Sequence, residues 1–185
     1  LFIFFVTKLD PVSVYMSMFK GAFGTARRTW ITIRDACLLL MISVALSPAF
    51  RMRFWNCGAE GQVLIGGLTT AAFMIYMGNK IPTAALLTLM LVVSAAAGGI
   101  WALLPAVFKA KYDTNETLFT LMMNYLAIQL VEFFVDFWDK KQSHSVGIIN
   151  MTSQKGWFPA LFGQQYAINI LLVVIITVGV YIYMN

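Results

Sequence analysis

Tyr166–Met184 reads YAINILLVVIITVGVYIYM, a mostly apolar run without a charged side chain. About 20 mostly apolar residues in a helix cross roughly 30 Å of hydrocarbon, and this run has that length. In lipid every backbone N–H and C=O must be satisfied within the protein, so a span is a helix or part of a closed barrel. The run is continuous rather than alternating, which points to a helix. Working outward from it, further spans are expected at about 30–50, 56–77, 81–108 and 118–138. Leu1–Thr7 (LFIFFVT) reads as the tail of an earlier span. Of 185 residues, 60% are hydrophobic and 11% charged, and mean hydropathy is +0.78. A typical soluble domain carries about 25% charged residues. A water-soluble fold of this size has no means of hiding so much apolar surface. The expected fold is all-α: a single polytopic transmembrane helical bundle over 1–185, truncated at both ends of a longer subunit.

The segments between spans have their own signals. In Lys8–Arg28, Val12, Tyr15, Met16, Phe19 and Phe23 recur at helical spacing behind Asp10-Pro11, an N-cap followed by a first-turn proline. This predicts an interfacial helix lying on the membrane. Pro48 is placed to bend the end of the first complete span. Asp113 or Thr114 is expected to cap the helix that follows, with Glu116 in its first turn. Ala95, Gly98 and Gly99 belong to a small-residue surface (Ala95–Gly99) that permits close approach of a neighbouring helix. The polar stretch Asp139–Gln165 carries Trp157 and Phe158, suited to a membrane interface, and the sole histidine, His144, which is expected to be solvated. The net charge of +5 is carried by basic residues that stand singly or in pairs. They suit anionic head groups rather than nucleic acid. Cys37 and Cys57 are too few and too distant for a disulfide framework or a metal site.

The most informative polar stretch is Asn56-Cys57-Gly58-Ala59-Glu60-Gly61-Gln62. It is a poor sequence for a lipid-facing helix, and Val63–Met77 alone is short for a span. One reading is a broken or re-entrant helix near 54–62, of the kind transporters use to present backbone and helix ends to a substrate. Glu60 would then face a partner or water. The other reading is an ordinary turn with Glu60 solvated. Asn124, in the middle of its span, faces a transport path or makes an interhelical hydrogen bond, of a kind typically worth about 0.6–2 kcal/mol. Gln129 and Glu132 lie near the end of that span and reach the interface. No phosphate-binding glycine loop, nucleophile elbow, HExxH or CxxC motif occurs. No catalytic residue is expected, and the energy for any active transport comes from another subunit or an ion gradient.

Phe54-Trp55-Asn56-Cys57-Gly58-Ala59-Glu60-Gly61-Gln62 resembles the FNIGAEGQ signature of permeases from branched-chain amino acid, ribose and nucleoside ABC importers. Trp101–Pro105, Lys109-Ala110-Lys111, Asn115-Glu116 and Leu121-Met122-Met123-Asn124-Tyr125 resemble a second run of that family, and Lys20–Gly24 a segment of its nucleoside-type branch. The wording looks most like the nucleoside (simple-sugar) branch. Cys57 stands where the signature usually has Ile, and Trp55 adds bulk before Asn56.

The resemblance implies a multi-pass subunit of a bacterial cell (inner) membrane that works by alternating access. It implies a cytoplasmic ABC ATPase carrying ATP and Mg, a second permease subunit, and an extracellular substrate-binding lipoprotein or periplasmic protein. This chain would hold no cofactor itself. The ATPase-docking loop of the family would begin soon after Asn185. Asn56, Glu60, Gln62 and Asn124 become candidates for lining or supporting the translocation path. The implied topology runs the last span inward. This opposes the charge count, which would leave Arg51, Arg53, Lys109 and Lys111 inside against eight basic residues outside. The implied role is the translocation path for nucleosides or related small sugars, and two alternatives stand beside it: ribose-like monosaccharides or branched-chain amino acids within the family, and outside it an ion-coupled carrier or a membrane assembly factor. An ion-coupled carrier more often pairs acids mid-membrane, and here Glu60 is the one serious candidate.

Overall fold

The computed structural model describes residues 10–139, 145–161 and 166–184. Leu1–Thr7 and His144 lie outside them. Among the described residues the chain is all-α, with α1 Pro11–Phe23, α2 Ala26–Arg51, α3 Ala59–Met77, α4 Thr83–Tyr112, α5 Glu116–Trp138 and α6 Ala167–Met184. Four of these, α2, α4, α5 and α6, are long and apolar enough to cross a membrane. Two compact units form, residues 1–45 with 159–185, and residues 46–158.

In the first unit, Asp10 caps α1 as its position predicts. Its carboxylate accepts from Val12 N (3.4 Å) and Ser13 N (3.1 Å), with Pro11 at the first helical position. No residue of α1 is buried, and Tyr15, Met16 and Phe19 leave their apolar surface uncovered by the chain. The expected continuation to Arg28 breaks at Gly24-Thr25. There Thr25 Oγ1 accepts from Arg28 N (3.3 Å), and Thr32 Oγ1 reaches back to Ala22 O (3.0 Å). A threonine cap thus starts α2 at Ala26, a turn before the expected Trp30. Arg34 lies within α2, beside its counter-ion. Its Nε and Nη2 donate to Asp35 Oδ1 (2.9 and 2.7 Å), and its guanidinium lies 5.1 Å from the Tyr166 ring centroid. Charges inside a span are tolerated when paired in this way.

The second unit is built on α3, which packs against both α4 and α5. α5 turns Thr120, Met123, Asn124 and Ala127 inward, positions one helical stripe apart. Leu86, Met90 and Pro105 are the buried residues of α4, and Gly61 and Ile65 those of α3. The buried apolar core of the described residues is only Ile65, Leu86, Met90, Met123, Ala127 and Val173. So small a core is what a lipid solvent permits, because apolar side chains facing hydrocarbon need no protein cover. Pro48 lies within α2, one turn before the helix ends at Arg51.

The α4–α5 turn differs from expectation. Asp113 ends α4 in the left-handed region (φ 48°, ψ 38°), and Asn115 caps α5 by accepting from Leu118 N (3.1 Å). Asp113 is instead tied to the helix behind it, since Lys109 Nζ donates to its carboxylate at 2.8 Å and also lies 3.3 Å from Glu116. The chain needs a left-handed residue to leave α4, a conformation that aspartate tolerates better than most residues. That requirement removes Asp113 from the cap position.

Candidate functional site

The polar stretch singled out in the sequence sits where α2 gives way to α3. After Arg51 the backbone leaves the helix, with Arg53 at φ 58° and Phe54 N donating to Ala49 O (3.0 Å), and α3 begins only at Ala59. Residues 54–58 are therefore irregular, and the expected span from 56 to 77 loses its first turn. Irregular backbone leaves N–H and C=O groups without the partners a helix supplies, and each must be met from elsewhere. Asn56 meets one locally, its Oδ1 accepting from Gly58 N at 2.8 Å. Asn56 N donates locally to Phe54 O (3.1 Å), and two further groups, both of Cys57, are met from α5. Cys57 N donates to Thr120 Oγ1 (3.1 Å), and Asn124 Nδ2 donates to Cys57 O (2.9 Å). Gly61 N, in the first turn of α3, donates to Asn124 Oδ1 (2.6 Å).

Gly58 is the N-cap of α3 and has no side chain to cap it. Asn124 performs that task from a neighbouring helix, an interhelical cap. Because its oxygen takes an N–H and its nitrogen serves a C=O, the two bonds together dictate the orientation of the amide. Asn124 is 8% exposed and Thr120 1%. Both glycines are required by proximity. A Cβ on Gly61 would lie 2.8 Å from Asn124 Oδ1 and 3.1 Å from Asn124 Cα, and one on Gly58 would lie 3.0 Å from Thr120 O. Only the absence of side chains lets α3 approach α5 closely enough for the bonds to form.

Of the expected site residues, the structure joins Asn56 and Asn124 to one braced segment. Glu60 is exposed in the first turn of α3, where a carboxylate is favoured by the helix dipole. Gln62 is half-buried, and its carbonyl faces α4, where a Cβ on Gly98 would meet it at 3.2 Å. Ala95 and Gly99 are exposed on α4, and a Cβ on Gly99 would meet nothing. Thr120 escaped the sequence reading. The signal was present, since it lies one turn before Asn124 on the same face of α5. Among the described residues no three His, Cys, Asp or Glu side chains gather where they could hold a metal ion.

Residues 30–185 match the family described as branched-chain amino acid transport system, permease component. The chain belongs to that family. Its α2, α4, α5 and α6 make it a multi-pass protein of the cell membrane. It is 33% identical over 133 residues to the guanosine ABC transporter permease protein NupP of Bacillus subtilis, covering 72% of this chain and 38% of that protein. It is 33% identical over 127 residues to the glucose ABC transporter permease protein TsgB13 of Haloferax volcanii, covering 69% and 33%. It is 24% identical over 126 residues to the nucleoside ABC transporter permease protein NupB of Lactococcus lactis, covering 68% and 34%. The chain thus matches over about a third of each relative's length. No solved structure matches it.

Proposed function

We propose that this chain forms part of the translocation path of an ABC importer for nucleosides, with ATP hydrolysed on a separate cytoplasmic subunit. A second permease subunit and an extracellular binding protein complete the assembly. The observation that carries the reading is the irregular segment 54–58, held against α5 by the buried Asn124. Such backbone persists at membrane depth where protein buries it or water lines it. It leaves Asn56 half-buried and Glu60 exposed at the start of α3, and these side chains, with Gln62, are the groups assigned to the path. Asn124 supports the path by holding the segment. Alternating access requires only weak affinity here, because a ligand shifts such an equilibrium only through its differential affinity for the two states. The similarity to guanosine and nucleoside permeases favours nucleosides, and the equal identity to a glucose permease keeps a simple sugar as the second reading.

The test is uptake of labelled guanosine, uridine or adenosine by cells with and without the intact gene, with ribose, glucose and leucine as competitors. Loss of nucleoside uptake on deletion, uncompeted by the other three, is expected. Unchanged nucleoside uptake with lost glucose or ribose uptake would replace this reading with the sugar one.

A further inference from the structure

Asn150 matches a glycosylation pattern and has no part in the path described above, yet the structure uses it heavily. It adopts a left-handed backbone (φ 56°), and its Nδ2 donates to Met74 O (3.0 Å) and Lys155 O (3.1 Å). The bond to Met74 O seats the segment 146–150 on the C-terminal end of α3, beside an open cavity of about 530 Å³. Ile75, Tyr76, Phe137, Trp138, Val146 and Asn150 line it. Its volume lies within the range of small-molecule pockets, about 300–1,000 Å³. Tyr76 lies sixteen positions after Glu60 on α3. At 1.5 Å per residue that separation is about 24 Å, close to the thickness of the hydrocarbon layer. The cavity and the braced segment therefore occupy opposite ends of the same helix.

The lining is chemically specific. Trp138 Nε1 donates to the Tyr76 hydroxyl oxygen (3.0 Å), and the two rings meet edge to face at 6.3 Å and 70°. Phe134 packs on Trp138 from another side, 5.5 Å between centroids. Accepting from the indole leaves the Tyr76 hydroxyl its own proton to donate. With both Nδ2 bonds made to backbone, Asn150 Oδ1 is left to accept. A lipid chain would use neither polar group. Aromatic surface beside one donor and one acceptor suits a flat heteroaromatic ring with a hydrogen-bonding edge.

We infer that this cavity is a binding vestibule for the base of a nucleoside, with Tyr76 and Trp138 supplying ring contact and the Tyr76 hydroxyl and Asn150 Oδ1 reading the base edge. The inference rests on the nucleoside reading of the permease, and its test separates the two. The full-length permease, assembled with its ATPase in nanodiscs, carries Val146→Cys in a background with native cysteines replaced by serine. Reaction of that cysteine with a thiol reagent is timed with and without guanosine. Guanosine at roughly nine times its half-protecting concentration is expected to slow labelling about tenfold, because occupancy then leaves about a tenth of the sites open, while leucine has no effect. Tyr76→Phe keeps the ring and the fold but removes the hydroxyl, and should raise the half-protecting guanosine concentration severalfold. Unchanged labelling with guanosine, in a protein that still imports guanosine, overturns the vestibule and leaves the permease reading standing. So does a cysteine that reacts in detergent but is blocked in lipid regardless of nucleoside, since lipid or another span then fills the cavity. A wild-type assembly that imports no nucleoside, together with a Val146→Cys assembly whose labelling is slowed by glucose alone, overturns both.

Discussion

Replacing Asn124 with alanine removes two hydrogen bonds at once. Gly61 N–H and Cys57 C=O, now bonded at 2.6 and 2.9 Å, would be left facing a methyl group at a position 8% exposed. An orphaned buried polar group costs about 1–3 kcal/mol, while interhelical bonds in membrane proteins average about 0.6 and reach about 1.7. Together these bracket the loss at about 1–3 kcal/mol, concentrated on the start of α3. The assay is unfolding of the full-length permease in mixed micelles by titration with a denaturing detergent, alongside guanosine uptake in cells. Asn124→Asp separates acceptor from donor, because a carboxylate still accepts from Gly61 N but has no proton for Cys57 O. It should fall between wild type and alanine near neutral pH, and recover toward wild type as acid restores a proton to donate. A stability for Asn124→Ala within about 0.3 kcal/mol of wild type, the size of an ordinary surface substitution, would refute the brace. Lost uptake at unchanged stability would assign Asn124 to substrate contact instead.

Further outcomes follow from the same geometry. Gly61→Ala drives a Cβ to 2.8 Å from Asn124 Oδ1 and should cost about 1–3 kcal/mol as overpacking; in the Asn124→Ala background it should cost less, a coupling that a double-mutant cycle measures. Thr120→Val leaves Cys57 N without its acceptor and should destabilise by about 1 kcal/mol in the same unfolding titration. The Lys109 ammonium beside Asp113 holds that carboxyl below its usual range. The Lys109–Asp113 contribution is therefore complete above the ordinary aspartate pKa and lost as pH falls through the depressed one; Asp113→Asn, which keeps the tolerance for a left-handed backbone, should flatten that acid limb in thermal unfolding followed from pH 6 downward.

Part of the site was legible in the chain because its residues are locally improbable. A Gly-Ala-Glu-Gly stretch between apolar runs announces a break, and Asn124 announces a polar group at membrane depth. The pairing between them was not legible. Cys57 and Thr120 are 63 positions apart, as are Gly61 and Asn124, and no periodicity links them. The same holds for Asn150, whose partner Met74 O lies 76 positions away. At the α4–α5 turn two side chains could cap α5 on sequence grounds, yet the left-handed exit from α4 decided the matter in favour of a third, Asn115.

Long, continuous apolar runs by themselves determined that the chain is helical and lies in a membrane, because hydrocarbon offers backbone groups no partner and a run that does not alternate meets the demand as a helix rather than as a barrel strand. Motif wording placed it among the permeases. Which face of each helix meets another was decided only in the tertiary structure. Lipid is as apolar as leucine, so a span carries no stripe that separates protein from solvent. In this chain the facing is set by the few positions where a missing Cβ and a buried amide bring two backbones together.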